Sequence, residues 1–119
     1  MPPPPLAHLN LTVADVERSQ GFYARWFGFD RRPETVSDGT RFVRNRDGFD
    51  LALHPGAPPS PPAPTVHFGF RAGDPHQVRA LLVELQAASV PLTDVHDEPG
   101  YVSLKCLDPD GYEIEVYWE

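Results

Sequence analysis

The chain has 119 residues, 40% of them hydrophobic, with seven Phe, four Tyr and two Trp. That suffices for the packed interior of one domain. Ten basic residues stand against seventeen acidic ones, a net charge of −7. No Lys/Arg stripe forms, which argues against a nucleic-acid partner. The single cysteine, Cys106, excludes an internal disulfide and a zinc ribbon and suits a reducing compartment. The start, MPPPPLAHLN, has neither a basic n-region nor an apolar h-region, and no apolar run reaches the roughly 18 residues of a membrane span. The expectation is a soluble, cytoplasmic protein that engages no membrane.

Pro2 to Pro5 form a stiff, extended tail. AHLNLTVAD (7–15) then alternates as a strand, with Leu9, Leu11 and Val13 on one face and His8, Asn10 and Thr12 on the other. Asp15 is an N-cap for a helix over VERSQGFYARWF, which gathers Val16, Phe22, Tyr23, Trp26 and Phe27 near one side and stops at Gly28. Strands are expected over FDRRPE, TRFVRN and FDLALHP, with Asp47-Gly48 turning the last pair. HPGAPPSPPAPT (54–65) contains six prolines and is neither helix nor central strand.

The pattern then repeats. VHFGFRAGD (66–74) carries a His second and an Asp last, each 59 positions after its first-half counterpart. Val66, Phe68 and Phe70 are expected to pack, leaving His67, Gly69 and Arg71 opposite. Asp74 and Pro75 open a helix with Val78, Leu81, Leu82 and Leu85 on its apolar side, ending near Ser89. VPLTDV, YVSLKC and YEIEVYW follow as strands, the last pair turned by Asp110-Gly111. The chain therefore reads as two β-α-β-β-β modules, 6–54 and 65–119, joined by the linker 55–64, within one domain over 1–119. Neither half can bury its sheet alone. Two small curved sheets side by side with helices outside would leave a concave face.

The alternation says what lines that face. Val102, Leu104, Cys106, Ile114 and Val116 pack, which leaves Tyr101, Ser103, Lys105, Glu113, Glu115 and Tyr117 to the concavity with His8, Asn10, His67 and Arg71. Two imidazoles and one carboxylate make the facial set of a mononuclear metal site with open positions. His8, His67 and Glu115 are the expected ligands. Asn10, Arg71, Ser103, Lys105 and Tyr117 surround them. Arg71 can pair an anionic group, and Lys105 can donate to a bound oxygen or carry a proton. Phe42, Tyr101 and Tyr117 offer rings to a flat ligand.

HLNLTVADVERSQGFYARWFGF, VHFGFRAGD and LDPDGYEIEV together resemble the vicinal oxygen chelate superfamily, which holds the glyoxalases, bleomycin-resistance proteins and dioxygenases. The likeness runs from Leu6 to Trp118. It implies an α+β fold of tandem βαβββ modules, closed into a half-open mixed-sheet barrel. It also implies metal ligands at His8, His67 and Glu115, one divalent ion (Fe(II) or Mn(II) first, then Ni(II) or Zn(II)) and a homodimer. Aligning DGFDLALH on DGYEIEVY sets Ala52 opposite Glu115, so the four-ligand glyoxalase-I-type set is incomplete. His96, Leu104, Asp108-Pro109-Asp110-Gly111 and Glu115 are similar in spacing to an extradiol dioxygenase signature, with Lys105 in place of its Tyr. The implied function is a metal-dependent enzyme acting on a small oxygen-chelating molecule, first by dioxygenase-type chemistry. A glyoxalase-like lyase or isomerase and a drug-sequestering protein of the same fold are the alternatives.

Overall fold

The computed structural model describes residues 1–59 and 66–119, which belong to two units, Met1–Ser60 and Pro61–Glu119. Residues 60–64 of the expected linker and Thr65, the first residue of the expected second module, lie outside the described residues. Unit 1 runs β1 (His8–Val13), α1 (Val16–Phe27), β2 (Arg31–Thr35), β3 (Arg41–Arg44) and β4 (Asp50–Pro55). Unit 2 runs β5 (Phe68–Arg71), α2 (Pro75–Ala87), β6 (Leu92–Glu98), β7 (Tyr101–Leu107) and β8 (Glu113–Trp118). Each is the β-α-β-β-β module read from the sequence, and the class is α+β. Among the described residues no helix is long and apolar enough to cross a membrane.

The two sheets share one topology, β1-β4-β3-β2 and β5-β8-β7-β6. The first and last strands of each module pair in parallel, and the remaining pairs are antiparallel. Parallel pairing needs a crossover, which the helix and the two middle strands provide. The registers also match. Asn10 pairs with Ala52 as Gly69 pairs with Glu115, and Phe42 pairs with Ala52 as Lys105 pairs with Glu115. Ala52 is thus the counterpart of Glu115, as the alignment had it.

Local chemistry sets these elements. The Asp15 carboxylate accepts from Arg18 N–H at 3.1 Å and caps α1, and Gly28 ends it at φ 69°. The Asp74 carboxylate accepts from Gln77 N–H at 2.9 Å, with Pro75 in the first turn of α2. The hairpin turns are locked by equivalent side chains. Asn45 Oδ1 accepts from the N–H groups of Asp47 and Phe49, and Asp108 Oδ1 from those of Asp110 and Tyr112. Gly48 and Gly111 then take φ 86° and 88°, a region that favours glycine.

The expected packing faces are the buried ones. Leu11, Val13, Tyr23, Val43, Leu51 and Leu53 form the interior of unit 1; Val78, Leu85, Val102, Leu104, Cys106, Ile114 and Val116 form that of unit 2. Each large side chain so buried contributes roughly 1.5–3 kcal/mol. One expectation fails. Val66 does not pack: it is 72% exposed and precedes the strand. The parallel ladder begins at Phe68 opposite Ile114, so the sheet has not yet started at Val66. Phe68 and Phe70 do follow the pattern, half-buried and edge-to-face at 6.3 Å.

Candidate functional site

In unit 2 the residues of β5, β8, β7 and β6 that lie opposite the packed core share one sheet face. His67 immediately precedes β5, and its Nε2 lies 3.3 Å from Glu115 Oε2 on β8. The other Glu115 oxygen, Oε1, accepts from the Tyr101 hydroxyl at 3.2 Å. His67 Nδ1 lies 4.0 Å from Glu113 Oε1, and the Thr93 hydroxyl donates to Glu113 Oε2 at 2.8 Å. The imidazole thus stands between two carboxylates, one of them anchored to β6. The Glu115 side chain is only 20% exposed.

Gly69 explains how Glu115 fits there. A Cβ built at Gly69 would lie 2.9 Å from the Glu115 carbonyl oxygen and 3.3 Å from its Cβ. Any other residue would press on the strand that carries the carboxylate.

The remaining sequence-selected residues of unit 2 surround this pair. Lys105 lies opposite Glu115 in the ladder, with its Nζ 4.0 Å from Asp94. Ser103 is buried opposite Tyr117. The Arg71 guanidinium sits 5.4 Å from the centre of the Tyr117 ring and donates to Glu119 at 2.9 Å. His96 pairs with Asp94 at 3.0 Å and leans its ring on Tyr101.

In unit 1, His8, Asn10 and Phe42 line a pocket of about 420 Å³ with Val36, Asp38, Thr40, Ala52 and His54. His8 lies opposite Asp50, the counterpart of Glu113. Arg44 donates to both Asp50 oxygens, at 2.7 and 3.1 Å, and holds that carboxyl below its usual range. Sequence reasoning missed a group here. The Thr40 hydroxyl is 2.7 Å from His54 Nδ1, and the Asp38 carboxylate is 3.7 Å from the same nitrogen. A signal for it existed: the alignment that sets Ala52 opposite Glu115 also sets His54 opposite Tyr117.

Two donors on one first-row ion, each at about 2.0–2.2 Å, stand about 2.8–3.6 Å apart for angles between 90° and tetrahedral. The His67–Glu115 separation of 3.3 Å falls in that range, so this pair fits a divalent metal. Within neither unit do three His, Cys, Asp or Glu side chains gather around one point among the described residues.

The sequence pattern of the Glyoxalase/Bleomycin resistance protein/Dioxygenase superfamily matches residues 6–116. The chain belongs to that superfamily. Among its solved structures, a possible glyoxalase from Bacillus cereus is 27% identical, with a TM-score of 0.78 over 94% of this chain and 96% of that one. The lactoylglutathione lyase of Agrobacterium tumefaciens is 25% identical, with a TM-score of 0.74 over 99% and 96%. The fosfomycin resistance protein FosX of Listeria monocytogenes, 18% identical, shares the fold with a TM-score of 0.79 over 98% and 93%. No curated protein matches the chain.

Proposed function

We propose that this superfamily member is a metal-dependent enzyme acting on a small molecule that chelates through its oxygens. His8, His67 and Glu115 are its proposed ligands for one divalent ion, Fe(II) or Mn(II) before Ni(II) or Zn(II). The observation that carries the reading is the His67–Glu115 pair, spaced as neighbouring ligands of one ion. His8 joins it through the repeat, since it occupies in the first module the position of His67 in the second. A bound ion would supply Lewis acidity and hold substrate oxygens.

The chain's own residues supply the rest. The Glu113 carboxylate, tied by Thr93, lies 4.0 Å from Nδ1 of the His67 ring. Lys105 and Arg71 offer cationic donors to an anionic substrate group, with Arg71 steadied over Tyr117. Asn10, Phe42, Tyr101 and Ser103 complete the proposed substrate surroundings. Ala52 supplies no fourth ligand, which leaves positions for the substrate and favours dioxygenase-type chemistry. A lyase or isomerase is the second reading, favoured by the likeness to the Agrobacterium lactoylglutathione lyase. The proposed state is a cytoplasmic homodimer, to be checked by light scattering.

Oxygen uptake separates the two chemistries. Fe(II)- or Mn(II)-loaded protein would be given a panel of small catechols on an oxygen electrode, then methylglyoxal–thiol adducts without oxygen. Uptake that disappears in Glu115→Ala supports the oxygenase. Chelator-sensitive turnover of the adducts without uptake supports the lyase. Neither activity in metal-loaded protein would overturn both.

A further inference from the structure

A carboxylate can bind a metal through one oxygen or both, and in unit 2 its two oxygens are already divided. Glu115 Oε2 is turned to His67 at 3.3 Å, and Oε1 accepts from Tyr101 at 3.2 Å. We propose that Tyr101 is a positioning residue that fixes Glu115 as a one-oxygen ligand. The proposal rests on the metal-binding reading above and adds to it the mode of coordination.

Tyr101 is well placed to hold that oxygen. It opens β7 directly after Gly100, which takes φ 86° in the tight β6–β7 hairpin. Its ring leans on that of His96 at 6.1 Å, so the phenol has support from the adjacent strand. Glu115 is itself confined, with its strand close against Gly69 and its side chain mostly shielded from water. A phenol hydrogen bond in such a setting competes little with solvent. The phenol takes up one lone pair of Oε1 and weakens that oxygen as a metal donor, so the native arrangement favours Oε2 as the binding oxygen.

Cobalt(II) tests this, because its visible absorption weakens as coordination number rises. Co(II) is titrated into the wild-type chain and Tyr101→Phe, with circular dichroism confirming that both are folded. The expected result is a several-fold weaker visible band for Co(II)-loaded Tyr101→Phe, as Glu115 engages through both oxygens. An unchanged band in Tyr101→Phe, with the wild type binding Co(II), overturns the positioning role and leaves the metal reading intact. A wild-type chain that binds no Co(II) overturns the metal reading, and this inference with it.

Discussion

The two units are built alike and charged differently. They share strand order, register, aspartate helix N-caps and hairpin locks. Yet residues 1–60 contain seven Arg and seven Asp or Glu, while residues 61–119 contain three basic and ten acidic residues. The whole net charge of −7 therefore belongs to unit 2. The contrast sharpens at matched positions. Glu113 and Glu115 of unit 2 correspond to Asp50 and Ala52 of unit 1, and Asp50 is neutralised by Arg44. The interior conserves a shape that either half can use. The opposite sheet face has diverged, with the imidazole–carboxylate pair on one unit and an open pocket on the other.

The largest expected effect tests the shared interior. Leu51 and Ile114 are counterparts, 1% and 0% exposed. Leu51→Ala and Ile114→Ala should each cost about 2–5 kcal/mol, measured by urea unfolding. A cost below about 1 kcal/mol for either would break the equivalence of the two cores.

A second comparison pairs Val43 with Cys106, 1% and 0% exposed. Burial, assisted by Asp108, pushes the Cys106 thiol up to about 12 from an ordinary 9.0. The folded state thus keeps a neutral thiol where the unfolded chain ionises. Stability is full below about pH 9 and falls as pH rises from there toward 12. In Cys106→Val this alkaline loss should shrink, at a cost below about 1.5 kcal/mol at pH 7. The native thiol should also resist a disulfide reagent at pH 8 until the chain is unfolded. Rapid labelling of folded protein would contradict the burial.

The smallest effect concerns the first unit's ion pair. Arg44 lowers the Asp50 pKa, so the pair stabilises the fold above the ordinary carboxylate value of 3.8 and loses that contribution as pH falls through the depressed value. Both side chains are more than a third exposed, at 37% and 35%. Arg44→Met should therefore lower stability only slightly at pH 7, and less at pH 3. A cost that grew on acidification would carry the wrong sign.

Much of this was legible in the sequence because strand faces and caps are local. The alternation of LNLTV and EIEVY is enough to say which side chains meet the core. The 59-residue offset of His8 and His67, with Asp15 and Asp74, exposed the repeat without any structure. What was not legible depends on where the sheet begins and on side chains that approach through turns. Val66 fitted the alternation but precedes the ladder, since only pairing with Ile114 decides the first residue of β5. The Asp38–Thr40–His54 group joins the β2–β3 turn to the end of β4, a meeting that no periodicity encodes. The division of the Glu115 oxygens between His67 and Tyr101 likewise depends on the hairpin that delivers the phenol.

The most direct test of the central claim is the metal content of anaerobically purified protein, beside His8→Ala, His67→Ala and Glu115→Ala. The account predicts about one equivalent of divalent metal per wild-type chain and its loss in each folded variant. Folded wild-type protein that holds no metal even after reconstitution, or a Glu115→Ala variant that keeps it, would contradict the account.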